Sequence, residues 1–244
     1  MINTVLHGDC LELMQGIPDK SVDMVLCDLP YGTTACKWDV IIPFDKLWQQ
    51  YERVIKDNGA IVLTAQTPFD KVLGSSNLKL LKYEWIWEKP QGTGHLNSSM
   101  YPLKNHENIL VFCKGVHKYN PQMEGNEIRV VKRNGLKAKT ENYGSFTELP
   151  ESIYSGRFPK TVLKFGKETG LHPTQKPVAL FEYLIKTYTN EGETVLDNCM
   201  GSGTTAIACI NTNRNYIGME KEEKYFNIIQ DRIANHTQQL KIAI

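Results

Sequence analysis

Short apolar runs alternate with segments of helical period along most of the chain. Runs rich in Val, Ile, Leu and Trp are typical of buried strands, whereas apolar residues three and four positions apart predict helices. Seven strands are predicted, at 4–6, 23–27, 60–64, 84–87, 108–113, 194–196 and 216–219. Four helices are predicted, at 44–56, 178–188, 204–211 and 224–235. This alternation predicts an α/β fold with a mostly parallel sheet covered by helices on both faces.

The periodic pattern is lost between about residues 114 and 170. With 244 residues, 41% of them hydrophobic, the chain can bury a core, and one domain with an inserted piece is expected. The net charge is only +1, so nucleic-acid binding would depend on a local basic patch. Residues 114–144 carry seven Lys and Arg against three Glu, a local charge of +4. A solvated loop that is basic by chance is the alternative.

The six cysteines show neither CxxC pairs nor zinc-like spacing, so we expect a reduced cytoplasmic protein without a metal site. The N-terminal residues lack the features of a signal peptide, and no apolar run approaches the length of a bilayer span. We therefore expect no membrane partner.

A predicted strand at 194–196 runs into Gly201-Ser-Gly-Thr-Thr-Ala206, which satisfies the dinucleotide pattern G-x-G-x-x-G/A. A dehydrogenase is one interpretation, and a structural turn is another. Asp197 opposes the first, because a carboxylate beside the glycine loop would repel a pyrophosphate. S-adenosylmethionine has no phosphate and carries an ammonium group. Glu220 follows Gly203 by 17 residues, where a carboxylate accepts hydrogen bonds from ribose hydroxyls.

The order of the strands indicates a circular permutation, because the glycine loop lies near the C-terminus. The strand at 194–196 would be first in the sheet, with those at 216–219, 4–6 and 23–27 second, third and fourth. The fourth would then lie beside the first. Asp9 would face the adenine of the cofactor, and residues 28–31 would share its cleft.

Asp28-Leu29-Pro30-Tyr31 follows a buried strand with groups suited to an aromatic amine. The Asp28 carboxylate and the Leu29 carbonyl would accept the two amine protons, and Pro30 would hold Leu29 extended. Tyr31 would stack on a base flipped out of its duplex. Direct in-line methyl transfer then needs orientation and charge complementarity. A tight turn after a strand is the alternative interpretation.

These segments resemble those of the β-class, permuted DNA amino-methyltransferases, which methylate adenine N6 or cytosine N4. Residues 28–31 resemble the catalytic D/S-P-P-Y motif, 197–205 the D-P-F-x-G-S-G-T-T loop, and 172–177 match H-P-T-Q-K-P. Residues 8–10 and 105–112 follow the family order. The resemblance implies a Rossmann-like fold and S-adenosylmethionine bound by Asp9, Cys10, His172, Thr174, Gln175, Lys176, Asp197, Gly201, Ser202, Gly203, Thr204, Thr205 and Glu220.

Two positions depart from the family motifs. Leu29 replaces the first proline, which should be tolerated because that position acts through its carbonyl. Asn198 and Cys199 replace Pro-Phe, which removes an aromatic ring that commonly packs near the cofactor and is expected to weaken binding.

The resemblance also implies a catalytic domain of residues 1–113 and 166–244 and an inserted target-recognition segment of residues 114–165. Trp38 and its loop at 33–39 would close over the flipped base, with a core anchor as the alternative for Trp38. The predicted DNA contacts are Lys37, Trp38, Lys114, Lys118, Arg129, Lys132, Arg133, Lys137 and Lys139.

The nature of the target base follows from position 28. Asp is common there in adenine enzymes and Ser in cytosine-N4 enzymes, so adenine N6 is favoured and cytosine N4 is the alternative. Cytosine C5 chemistry is disfavoured, because no Pro-Cys pair supplies its thiolate. A catalytically degenerate DNA-binding or partner subunit is a further alternative. Duplex DNA is the expected partner, and a homodimer and a cognate restriction enzyme are further partners to consider.

Overall fold

The computed structural model describes residues 2–131 and 152–242. Four predicted DNA contacts, Lys132, Arg133, Lys137 and Lys139, lie outside the described residues, as does the side chain of Arg129. The chain divides into two compact units, one of Met1–Asn120 with Thr161–Ile244 and one of Pro121–Lys160.

The described residues form ten strands and six helices. The strands are β1 (Thr4–His7), β2 (Val22–Asp28), β3 (Ile55–Ala65), β4 (Leu81–Thr93), β5 (Lys104–Phe112), β6 (Glu124–Val131), β7 (Ser152–Arg157), β8 (Val162–Lys164), β9 (Thr194–Asp197) and β10 (Asn215–Glu220). The helices are α1 (Cys10–Leu13), α2 (Phe44–Val54), α3 (Phe69–Ser76), α4 (Val178–Tyr188), α5 (Thr204–Asn211) and α6 (Glu223–Ile242). Within these residues, no helix combines the length and apolar character that crossing a bilayer requires.

The larger unit is built on one eight-stranded sheet with the order β1-β10-β9-β2-β3-β5-β4-β8. The first four positions confirm the permuted order predicted from the sequence. Strands β1, β10, β9, β2 and β3 are parallel, and β5 is antiparallel to both β3 and β4. The carboxyl ends of β1, β10, β9 and β2 therefore meet at one edge of the sheet.

All seven predicted strands and four predicted helices are present, but the count of seven strands for the sheet is wrong. The eighth, β8, has three residues and pairs with β4, so it is too short to show a period. Helix α3 was missed because its eight residues include Gly74 and give only two turns of apolar spacing. Helix α2 ends at Val54, since Ile55 is already extended and pairs with Val22 in β3.

Two hydrophobic clusters cover the two faces of this sheet. Alternate residues of β2 divide between them: Met24 and Leu26 pack in the cluster that includes α4, and Val25 and Cys27 in the cluster that includes α2. Burial on both faces explains the continuous apolar run of β2. Asp28 lies at the last position of the strand. In the smaller unit, β6 and β7 form a two-stranded antiparallel sheet.

Candidate active site

A cavity of about 310 Å³ lies where β1, β2, β9 and β10 end. It is large enough for a nucleoside-sized ligand. All predicted cofactor residues except Gly203 line it, as do Asp28, Leu29, Pro30, Lys37 and Trp38, while Tyr31 does not. The residues that the sequence suggested for the cofactor and for the target amine therefore line one cavity, apart from Gly203 and Tyr31.

The turn between β9 and α5 depends on two glycines in the left-handed region. Gly201 has a φ of +57° and Gly203 a φ of +83°. A Cβ on Gly203 would also lie 3.1 Å from Ile229 of α6. Gly203 thus allows close packing of the loop on α6.

Asp197 is a buried carboxylate at the end of β9. It accepts hydrogen bonds from the Thr205 hydroxyl and from the Cys199 backbone N–H at 3.1 Å. Burial raises its pKa to about 7, although those hydrogen bonds oppose the shift. No ion pair with Asp197 occurs within residues 2–131 and 152–242. A cationic ligand group would stabilise its ionised form.

Glu220 is the corresponding carboxylate at the end of β10. It accepts hydrogen bonds from the backbone N–H groups of Gly201, at 2.7 Å, and Glu222, at 2.9 Å. Burial raises its pKa. A carboxylate has about four acceptor positions, so Glu220 keeps acceptor capacity for a hydroxyl group of a ligand.

Asp9 and His172 line other parts of the cavity. Asp9 caps α1 by accepting from Leu11 N–H at 3.0 Å, and it lies 3.2 Å from the ammonium of Lys221. The ring of His172 contacts those of Tyr225, at 4.3 Å between centroids, and Trp38, at 5.1 Å. Burial lowers the pKa of His172, which favours the neutral imidazole near pH 7. Trp38 is thus part of the cavity wall in this structure.

Asp28 is the last residue of β2, and its carboxylate accepts hydrogen bonds from three side chains. Its Oδ1 accepts from the Tyr31 hydroxyl at 2.7 Å and from the hydroxyl of Thr64. Thr64 lies opposite Asp28 on the adjacent strand β3. Its Oδ2 accepts from the Lys176 ammonium at 2.5 Å. Sequence reasoning missed Thr64, although it ends the apolar part of the adjacent predicted strand.

The rest of the Asp28–Tyr31 segment is held by packing. The Leu29 side chain is buried in the core beside α2, and the Tyr31 ring stacks on Phe69 with centroids 5.0 Å apart. No residue in the described part of the chain donates a hydrogen bond to the Leu29 carbonyl. Because the side chain at position 29 packs in the core, an apolar residue is suited to this position. This explains physically how a leucine fits in place of the proline.

Two further charged residues join this site through Lys176. Glu107 of β5 lies 3.4 Å from the Lys176 ammonium, and it also binds Lys89 of β4. Sequence reasoning missed Lys89 and Glu107. The signal available in the sequence was the carboxylate of Glu107, which directly precedes the apolar run at 108–113.

The loop at 33–39 is organised by Asp39, a residue that sequence reasoning did not select. Its carboxylate accepts the backbone N–H groups of Gly32, Thr33 and Thr34 at 2.8, 2.9 and 2.7 Å. Burial opposes its ionisation, but these hydrogen bonds outweigh burial and lower its pKa. The loop is thereby fixed beside the cavity.

Two of the predicted DNA-binding lysines make intramolecular contacts. The Lys114 ammonium donates to the carbonyl of Glu52, and Lys118 pairs with Glu193. These contacts attach residues 114–118 to α2 and to the loop before β9. As for metals, the described residues contain no His, Cys, Asp and Glu cluster able to hold one.

The departure at Asn198 has a structural partner. Asn198 is buried, and its Oδ1 accepts a hydrogen bond of 2.5 Å from Tyr51 of α2. Both polar groups are thereby satisfied, so the structure accommodates an amide at this position.

We expect Tyr51→Phe to destabilise the protein by about 1–3 kcal/mol, because it leaves the buried Asn198 oxygen without its donor. Urea unfolding of the two proteins would measure this difference. The exposed Tyr101 provides the control, since Tyr101→Phe should change stability by less than about 0.5 kcal/mol. Equal effects of the two substitutions would contradict the importance of the Tyr51–Asn198 bond.

A permuted parallel sheet, two buried carboxylates in a nucleoside-sized cavity and a third at its rim define an α/β enzyme of the methyltransferase class. The family model described as DNA methylase matches residues 22–231. The chain belongs to this family of DNA methylases.

Several characterised proteins resemble the chain over nearly its whole length. "Type II methyltransferase M2.MboI" from Moraxella bovis is 28% identical over 97% of this chain and 89% of that protein. "DNA adenine methyltransferase YhdJ" from Escherichia coli K12 is 29% identical over 96% of this chain and 84% of its own. The crystal structure of the M1.HpyAVI-SAM complex matches with a TM-score of 0.63 and 26% identity, covering 94% and 98% of the two chains. The cytosine-N4-specific PvuII DNA methyltransferase shares the fold, with a TM-score of 0.68, 15% identity and coverage of 97% and 91%.

Proposed function

We propose that this chain transfers a methyl group from S-adenosylmethionine to the N6 amino group of adenine in duplex DNA. The observation that carries the proposal is that Asp28 lines a cavity in which two further carboxylates, Asp197 and Glu220, lack cationic partners among the described residues. The family match and the name of the adenine methyltransferase relative support it.

The cavity residues fit this cofactor. Asp197 would hold its ammonium, because burial without a counter-charge raises the pKa of this carboxylate. Glu220 would accept hydrogen bonds from the ribose hydroxyls with its remaining acceptor capacity. His172 and the residues after it would enclose the methionine portion. When bound, the cofactor supplies an electrophilic methyl group on a sulfonium.

Asp28 and the Leu29 carbonyl orient the target amine. Each accepts one N–H of the amino group, which directs the nitrogen lone pair toward the bound cofactor and increases its electron density. Transfer of the methyl group to this nitrogen would form the N–C bond and leave the electron pair of the broken S–C bond on sulfur. The nitrogen then releases one proton to water. Tyr31 and Pro30 fix the segment, and base flipping brings the adenine to it.

Cytosine N4 is the alternative substrate, since the same two acceptors would orient that amine. The fold likeness to the PvuII enzyme does not discriminate between the two bases at 15% identity. A non-catalytic DNA-binding or partner subunit is a second alternative. Against it, Asp28 and both cofactor carboxylates are present and placed around one cavity.

Target recognition belongs in this proposal to residues 114–165, inserted between the catalytic parts 1–113 and 166–244. The proposal is supported by the net charge of +4 over residues 114–144. Lys37, beside the cavity, would contact the phosphates of the DNA near the flipped base. A homodimer and a cognate restriction enzyme are proposed partners, and the cytoplasm is the proposed location because the cysteines, including Cys36, are free.

The proposal is tested by transfer of labelled methyl from S-adenosylmethionine to unmethylated genomic DNA, followed by nucleoside analysis. We expect label in N6-methyladenine, and none with Asp28→Ala. Label in N4-methylcytosine would replace the base assignment while keeping the mechanism. Binding of both cofactor and DNA without any transfer would favour the non-catalytic alternative.

A further inference from the structure

Four charged side chains form an alternating chain that ends at Asp28. Lys89 contacts Glu107, the Glu107 carboxylate lies 3.4 Å from the ammonium of Lys176, and that ammonium lies 2.5 Å from Asp28. The side chains of the first three are at most 10% exposed, and that of Asp28 is 22% exposed. These four side chains come from β4, β5, the segment before α4 and the end of β2.

The alternation allows these charges to be buried. A single buried ion without a partner costs several kcal/mol, whereas two ammonium and two carboxylate groups sum to zero. Burial opposes the charge on Lys176, but Asp28 and Glu107 outweigh it and raise its pKa. Burial also opposes ionisation of Glu107, but Lys176 and Lys89 outweigh it and lower its pKa. Both groups therefore remain charged near neutral pH.

The hydrogen bonds of Asp28 leave room for one more donor. A carboxylate has about four acceptor positions. Tyr31 and Thr64 occupy two on Oδ1, and Lys176 occupies one on Oδ2. One position on Oδ2 remains for an N–H of the target amine.

We propose that Lys176 is a positioning residue that pairs with Oδ2 of Asp28 and leaves one acceptor position open there, and that Glu107 and Lys89 act on Asp28 through Lys176. The proposal rests on the proposed function for its catalytic consequence. It also changes the expected role of Lys176, which the family resemblance placed with the cofactor contacts.

Other titratable groups also face Asp28. Tyr31 donates its hydroxyl, and burial keeps that group protonated by raising its pKa. Asp28 also acts electrostatically on His172, on Asp197 and on Cys27. The variants below leave these groups unchanged, so they contribute equally to each comparison.

A direct test follows protonation of Asp28 without DNA or cofactor. The infrared carboxylate band that disappears in Asp28→Asn identifies Asp28, and its intensity is then titrated in each variant. Loss of a neighbouring cation makes a carboxyl group titrate about 1–3 pH units higher. Lys176→Met should therefore shift the titration midpoint of Asp28 upward by that amount. Lys176→Arg should stay within about half a unit of the wild type, because it keeps the charge.

Glu107 provides a change of opposite sign. Glu107→Gln removes one of the two carboxylates that face Lys176 among the described residues, so the titration midpoint of Asp28 should move downward by about one unit. Lys89→Met should move it upward by less than Lys176→Met does. This second pair keeps the inference testable if Lys176→Met fails to fold.

The acid limb of the kcat–pH profile for methyl transfer, at saturating cofactor and DNA, should move in the same directions. Unchanged midpoints, or shifts of one sign for Lys176→Met and Glu107→Gln, would overturn the inference. Weaker cofactor binding by Lys176→Met with an unchanged midpoint would instead make Lys176 a cofactor contact. If the infrared shifts occur while the wild type transfers no methyl group, the proposed function fails and the electrostatic part of the inference stands.

Discussion

Asp28→Asn should lower the rate of methyl transfer by about a thousandfold or more, because it removes the charged acceptor that orients the target amine. The asparagine is nearly the same size, so the cavity keeps its shape. It leaves the Lys176 ammonium opposite a neutral amide, where the wild type has a 2.5 Å ion pair. Single-turnover transfer to duplex DNA would measure the loss at the chemical step.

Binding should respond much less than the chemical step. We expect cofactor affinity of Asp28→Asn to stay within about threefold of the wild type, since Asp197 and Glu220 are unchanged. The exposed Asp45 supplies a matched control, because Asp45→Asn makes the same chemical change away from the cavity. A variant that binds and transfers at the wild-type rate would exclude Asp28 from catalysis.

The sequence predicted those parts of the site that lie at strand ends. Asp28, Asp197 and Glu220 each close an apolar run, and parallel strands place such residues on one edge of the sheet. The permuted order then brought them together, since it places β9 between β2 and β10. For these residues, local pattern and topology were sufficient.

Contacts between distant side chains could not be predicted in this way. Lys89 and Glu107 lie near Lys176 because β5 pairs antiparallel with β3, and β4 in turn pairs with β5. Tyr51 and Asn198 are 147 positions apart and meet across α2 and the glycine loop. Neither pairing leaves a periodic signal, because each joins residues that are far apart in the sequence. The same holds for β8, whose three residues take their position from β4.

Cofactor binding should weaken as the pH falls below about 7, because protonation of Asp197 competes with the cofactor ammonium. Burial raises the pKa of this carboxylate to about 7 in the free protein. The ammonium binds the ionised form, so the affinity is highest above that pH and declines below it. Between pH 7.5 and 5.5 we expect a loss of about 20-fold in affinity, and binding at pH 5.5 should release about one proton from Asp197.

Asp197→Asn should weaken binding at pH 7.5 by about 100-fold, because a buried hydrogen bond between charged groups contributes up to about 3 kcal/mol. Its pH dependence should also flatten, leaving only the smaller slope due to Glu220, whose pKa burial likewise raises. Calorimetric titration in buffers of different ionisation enthalpy would measure affinity and proton release together. The exposed Asp231 gives the matched control, Asp231→Asn. An unchanged pH slope in Asp197→Asn would contradict the assignment, because the competing proton would then reside on another group.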